Sequence, residues 1–326
     1  MKRRIHVKGF VLAVFLSLGA ALAIGPIDAQ ILSLHDAGRY GDAWDLIQAR
    51  LPETAEWAAY HTVYGLPPLQ PHKAKSYSQG VKLACSYRQA NPEAYARCLY
   101  GLAFPVPQIT DWVKAGELPS LSQEQIRTEL ESLAERGSSI ATYFLGRMEF
   151  FGLFGYKPNP GKAVKRLEDL ARTSPDTLGG RAAMGLLSHF YYWGIGGVQA
   201  NPSLGALYAR KAGATSAFAA GMLAYLEYRG SGGVERNPSA ACNRANFWAI
   251  RTPEPVNLYV LGLCYWEGAG GFPKDPIEAY GLIWSSAQAG GDDIPEIVKA
   301  LDTLEKGLTP EQKKEGRERA QTKYLP

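Results

Sequence analysis

Histidine and cysteine are scarce in this 326-residue chain, with five and four copies respectively. No Cys/His spacing resembles a zinc site. His-Glu-x-x-His, Gly-x-Ser-x-Gly and Ser-x-x-Lys are all missing, so metalloprotease, hydrolase-elbow and penicillin-recognising chemistry lack their signatures. The most regular part of the chain holds a single histidine, His189, and its sequence neighbour Ser188 does not face it on a helix. Charge of one sign is lacking too. The basic excess is four, and residues 1–23 contain Lys2, Arg3, Arg4 and Lys8 with no acid. The rest of the chain is neutral, which gives no support to nucleic-acid binding. No catalytic residue, metal or cofactor is assigned.

One long apolar run is present, and it lies at the start. GFVLAVFLSLGAALAIG follows the basic residues and leads to Ala21-Leu22-Ala23, the three-part layout of a secretory signal peptide cleaved after Ala23, with Ala29 as the alternative. An uncleaved membrane anchor is the competing reading, weakened by Gly19, Gly25 and Pro26. Export suits the four cysteines. Cys85 and Cys98 lie symmetrically about Asn91-Pro92, and Cys242 and Cys264 about Pro253. In an antiparallel helix hairpin, positions equidistant from the turn face each other. Of the three connectivities, Cys85–Cys98 with Cys242–Cys264 is therefore expected. Four buried thiols acting as small hydrophobes are the alternative.

The dominant feature is a repeat. Leu-small pairs occur at Leu145-Gly146, Leu187-Ser188, Leu223-Ala224 and Leu261-Gly262. Thirteen residues after each small residue stand Asn159, Asn201, Asn237 and Asp275, each followed by proline. The spacings between small residues are 42, 36 and 38 residues, a solenoid period. Asn or Asp as N-cap with proline at the first position starts each second helix. Those helices carry Ala163/Leu167/Ala171, Gly205/Ala209/Gly213, Ala241/Ala245/Ala249 and Ala279/Ile283/Ala287, each set four apart on one face. Small side chains let two helices approach to the near end of the usual 8–10 Å range. Gly155, Gly197, Gly233 and Gly271 are expected at positive φ in the intervening loops. Gly194-Ile195-Gly196-Gly197 is no phosphate cradle, since neither a preceding strand pattern nor a following Lys-Ser/Thr accompanies it.

The domain plan is then residues 1–23 as leader, 24–137 as a helical region with worn repeats, 138–290 as four clear units and 291–326 as capping helices. In the worn part, Ala37 to Ala43 reads as a tight hairpin turn. Ala59 and Ala84 take the small positions of one copy, which breaks at Gly65. A second copy starts at Ala94, breaks at Gly101 and carries a swollen loop over residues 105–120. Ser122 with Gln125 and Thr309 with Gln312 are capping boxes. The polar last helix suits the exposed end of a repeat stack.

The pattern Leu-small-x-x-x-aromatic-x-Gly-x-Gly-Gly-Val-x-x-Asn-Pro, followed by two alanine positions eight apart, resembles the Sel-1-like repeat, a relative of the tetratricopeptide repeat. The first clear unit departs from it by lacking the middle glycine near Gly155-Tyr156. The resemblance implies an all-α fold, an α/α superhelical solenoid of helix-turn-helix repeats that binds proteins or peptides. It also implies a periplasmic or secreted adaptor of envelope machinery or signalling. Phe151, Trp193, Arg229 and Glu267, each just before a glycine break, are candidate partner contacts, as is Trp112 in the swollen loop. Glu149, Glu227 and Glu267 are candidates to line the concave side. The competing reading is a cell-wall-acting enzyme or peptidoglycan-fragment binder, with a pocket near His61, His72 or Trp112. One deep pocket with converging titratable groups would favour the enzyme, and a long open groove the scaffold.

Overall fold

The computed structural model describes residues 26–69 and 73–324. The leader at 1–23 and His72 lie outside the described residues. Seventeen α-helices and no strand are found among the described residues. A hairpin of α1 (Pro26–Asp36) and α2 (Tyr40–Ala49), turning at Gly38, comes first. Six two-helix units follow. They pair α3 (Ala55–Tyr64) with α4 (Lys73–Ser86), and α5 (Pro92–Ala103) with α7 (Gln123–Glu135), the latter pair separated by the short α6 (Pro107–Lys114). They continue with α8 (Ser139–Phe151) and α9 (Pro160–Thr173), then α10 (Leu178–Trp193) and α11 (Pro202–Ala212). The last two are α12 (Ala217–Arg229) with α13 (Pro238–Ala249), and α14 (Pro255–Glu267) with α15 (Pro276–Ser286). The end is closed by α16 (Pro295–Gly307) and by α17 (Pro310–Lys323), which lies on α15.

Each clear unit is built by the same local rules. The first helix ends on a left-handed glycine: Gly152, Gly194, Gly230 or Gly268. The Asn159, Asn201, Asn237 and Asp275 side chains accept hydrogen bonds from the first turn of the second helix, satisfying N–H groups that have no partner within it. The backbone N–H of those same residues donates to Glu149 O, Tyr191 O, Glu227 O and Tyr265 O at 2.6–2.8 Å, tying the loop back to the first helix. Gly155, Gly197, Gly233 and Gly271 all have positive φ. Where the first unit lacks its middle glycine, Phe154 takes the left-handed conformation (φ 55°) that Gly196, Gly232 and Gly270 hold elsewhere.

The small positions are where helices cross. A Cβ on Gly205 would come within 2.8 Å of Tyr192 N and Ser188 O, and one on Gly146 within 2.8 Å of the Leu167 side chain. Consecutive first helices touch along the series α3, α5, α8, α10, α12 and α14, whereas consecutive second helices do not pack comparably. The stack therefore curves toward its first helices, which form the inner wall. Disulfides join Cys85 of α4 to Cys98 of α5, and Cys242 of α13 to Cys264 of α14. Each links one unit to the next.

The worn half departs from expectation in two places. Gly101 lies inside α5, which runs on to Ala103, so it is no break. Its missing side chain admits Val81 of the neighbouring helix, whose methyl carbon would lie 2.3 Å from a Cβ there. The swollen loop contains a helix, α6, whose Ile109 is buried with Val81, Ala84 and the Cys85–Cys98 pair. Curvature also brings α2 and α3 onto the later repeats. Tyr40 stacks on Phe247 at 5.4 Å between ring centroids, Tyr64 meets Trp248 edge-on at 5.7 Å, and Arg251 Nε donates to Gly65 O at 3.3 Å.

Candidate functional site

The inner wall encloses a cavity of about 80 Å³. It is lined by Tyr60 and Tyr64 from α3, Arg97 and Tyr100 from α5, and Tyr143 and Arg147 from α8. Phe218 of α12 and Glu254, the residue before α14, complete it. The walls are aromatic because the face of each inner helix that cannot reach its own partner helix packs across the curve instead. Tyr60 donates its hydroxyl to Thr215 O from 155 residues away. Guanidinium-over-ring contacts place Arg97 5.6 Å from the Tyr60 centroid, and Arg147 5.6–5.9 Å from Tyr100, Tyr143 and Phe218.

The cavity carries an excess of positive charge. Arg97 is 9% exposed, and the Nε atoms of Arg97 and Arg147 are both buried without a hydrogen-bond partner. Neither guanidinium forms an ion pair with a described residue. Burial opposes the charge on Arg147, and the Glu254 carboxylate favours it. Glu254 is the only carboxyl group among the lining residues. Burial pushes its pKa up to about 7, with Arg147 pulling it back down.

The row before the glycine breaks starts one turn beyond the cavity. Phe151 is the fourth residue after Arg147 and so shares its helix face, as Tyr64 does with Tyr60. Phe151 is 49% exposed and rests edge-on against Phe150. Trp193 is half-buried against Tyr192 and Tyr225, and its indole N–H has no partner. Arg229 lies over the Tyr225 ring at 5.7 Å. Glu267 is exposed and accepts a hydrogen bond from Tyr228 across the repeat boundary at 2.7 Å. Trp193, Arg229 and Glu267 are thus brought into one band through tyrosines of the third clear unit. Trp112 stands apart, half-buried beside α4 with Lys82 Nζ 4.5 Å from its ring centroid.

Two of the candidate concave acids have other work. Glu149 is 1% exposed and forms a bidentate pair with Arg166 (2.9 Å to both guanidinium nitrogens), joined by Lys162 at 2.7 Å. Glu227 pairs in the same way with Arg244. Both acids sit two residues before the row, which turns them toward their own second helix. In the second unit, stacked Tyr191 and Tyr208 replace this pair. A larger depression of about 710 Å³ lies over these groups on the outer flank, but Lys162, Arg166 and Asp169 there are already ion-paired.

Of the places named for an enzyme pocket, Trp112 does line a depression of about 680 Å³ with Lys75, Gln79 and Asp111, but none opens at His61. His61 is fully buried, its Nε2 2.8 Å from Nε2 of His35, among Trp44, Trp57 and Tyr60. Burial holds both imidazoles neutral, their pKa values pushed well below the usual one. His189 is neutral as well, lowered to about 4 by burial against the opposing effect of its hydrogen bond to Phe218 O. Among the described residues no group of three or more His, Cys, Asp or Glu is placed to hold a metal.

The sequence pattern contained an unread signal for the cavity. The residue directly after each small position, four before the row, is Tyr60, Arg147, His189, Tyr225 or Leu263. Arg147, the one arginine in that mostly aromatic register, marks the cavity wall.

Comparison with known proteins places these elements. Residues 139–165, 181–214, 217–243 and 258–290 match the Sel1 repeat model. No curated protein matches the chain. Among solved structures, the chain is similar to a Sel1 repeat protein from Oxalobacter formigenes (18% identity, 89% of this chain and 93% of that one, TM-score 0.41). It is also similar to c5321, a protective antigen present in uropathogenic Escherichia coli strains and displaying an SLR fold (19% identity, 92% and 69%, TM-score 0.38).

Proposed function

The chain is a Sel1-repeat protein, and we propose that it is an exported scaffold that holds a protein or peptide along the inner wall of its superhelix. Proteins of this kind typically serve as interaction scaffolds. The observation that supports the reading most is the band formed by Trp193, Arg229 and Glu267, with exposed Phe151 at its margin. Two aromatic side chains and then two charged ones stand there at the ends of consecutive inner helices. Such mixed rows supply anchors for a bound segment. Export is supported by the leader pattern at 1–23 and by two disulfides between neighbouring units. Among the described residues, no helix is long and apolar enough to cross a membrane. The proposed partner is a protein of the same compartment, and the proposed role is that of an adaptor in envelope machinery or signalling.

The test is crosslinking capture from an envelope fraction, comparing the natural chain with a Phe151→Ala, Trp193→Ala, Arg229→Ala, Glu267→Ala variant of matched thermal stability. Specific partners recovered by the natural chain and lost by the variant are the expected outcome. Equal recovery by both chains, or none by either, would sink the proposal.

A further inference from the structure

We propose that the inner cavity is a binding site for a single carboxylate, received by Arg97 and Arg147 between the tyrosine rings. An arginine cannot shed its proton inside a protein, so a buried Nε–H with no acceptor is unfavourable unless something completes it. Arg97 is nine-tenths buried, and its Nε finds no acceptor. Arg147 is in the same condition at its Nε. The hydroxyls of Tyr64, Tyr100 and Tyr143 make no hydrogen bond with described residues and are further donors on the same wall. Glu254 acts on Arg147 through space but makes no hydrogen bond or ion pair with either arginine, so it leaves both Nε–H donors without an acceptor.

Size and chemistry select the ligand class. A volume of about 80 Å³ accommodates a carboxylate with a short apolar stem, or several waters at roughly 10–15 Å³ each. The guanidinium fork matches a planar carboxylate, and the aromatic walls suit its stem while disfavouring a strongly hydrated phosphate dianion. The stem points to an acidic side chain or a chain terminus. As a place for part of a bound peptide, the site rests on the scaffold reading, since the band begins one helical turn from the cavity, about 5.4 Å along α8. As a carboxylate pocket, it does not.

The full chain is tested with sodium propionate against sodium chloride and inorganic phosphate at equal ionic strength, by calorimetry and thermal shift. Saturable binding of propionate, with a rise in Tm that chloride and phosphate do not give, is expected. Arg97→Gln and Arg147→Gln should each weaken it about tenfold, the loss of one charge-assisted contact. Glu254→Gln, which removes the competing carboxyl and leaves both arginines in place, should bind propionate more tightly. It keeps the test decisive if an arginine variant does not fold. Folded arginine variants that bind propionate like the natural chain, or unchanged binding in Glu254→Gln, would overturn the site. So would the lack of saturable propionate binding by the natural chain. Competition by glycylglycine with a free carboxyl terminus, against an amidated and acetylated glutamate, separates terminus from side chain. Failure of both to compete overturns the peptide role. The Phe151, Trp193, Arg229 and Glu267 variant should retain propionate binding, so a failed scaffold and a failed pocket give different results.

Discussion

Residues 138–290 and residues 26–137 use the same two-helix unit for different ends. In the later stretch, the same atoms do the same work four times: a left-handed glycine closes the first helix, and an Asn or Asp opens the second and ties back to the first. In the earlier stretch, only Gly65 and Asn91-Pro92 keep that form. Thr54 makes no capping bond to α3, and the N-terminus of α8 is held by Glu93, which accepts from Ser138 Oγ and from the N–H groups of Ser139 and Ile140. Yet the earlier stretch contributes Tyr60, Tyr64, Arg97 and Tyr100 to the cavity. Regular units fix the spacing and curvature of the wall. Units released from that pattern are free to place polar groups on it.

The largest test of the contrast is to remove each staple in turn. Replacing either cysteine pair by serine should cost about 2–4 kcal/mol, read by urea denaturation. The bridges close 22 and 13 residues, so loop entropy makes the loss at Cys242–Cys264 larger by about 0.5 kcal/mol. A greater loss at Cys85–Cys98 would show that the irregular half leans on its staple more than chain entropy requires. Next come the crossings. Gly205→Ala sets a methyl against backbone that cannot move aside and should cost about 1–3 kcal/mol. Gly101→Ala meets the Val81 side chain first, not backbone, and should cost less. Equal losses would remove this distinction between the halves.

Caps should give smaller effects. Asn201→Ala should cost about 1 kcal/mol. Asn91→Ala should cost more, because Asn91 Nδ2 also donates to Glu56 at 2.7 Å and to Glu53 O at 3.2 Å. The smallest effect near neutrality belongs to the His35–His61 pair. Both pKa values are lowered in the folded chain, so the stabilisation is present above the unfolded value of 6.5 and is lost as pH falls below it. The loss is under about 1 kcal/mol per imidazole at pH 6 and grows with further acid. A His35→Leu, His61→Leu chain should show a flatter acid limb in denaturation midpoints from pH 7 to 5.

What could be read in advance was what neighbouring residues decide. Asn201-Pro202 sets a cap wherever it stands, Gly197 takes positive φ because its own loop demands it, and cysteines equidistant from a turn meet because a hairpin is local. Expectation and structure part where side-chain packing between neighbouring helices decides. Gly101 reads as a break until Val81 of α4 is seen filling its place. Glu149 and Glu227 read as concave acids until Arg166 and Arg244, seventeen residues on, turn them away. The cavity needed the summed curvature of six units to bring Tyr60 to Thr215, and no periodicity in a single chain carries that sum.

The meeting of Tyr40, Tyr64 and Gly65 with Phe247, Trp248 and Arg251 has a consequence for how the molecule comes apart. A linear stack can fray from either end, one unit after another, because each unit knows only its neighbours. Here α2 and α3 are latched to the third clear repeat, so loosening the early helices also undoes a distant part of the array. Melting should be more nearly all-or-none than in an unlatched stack of the same length.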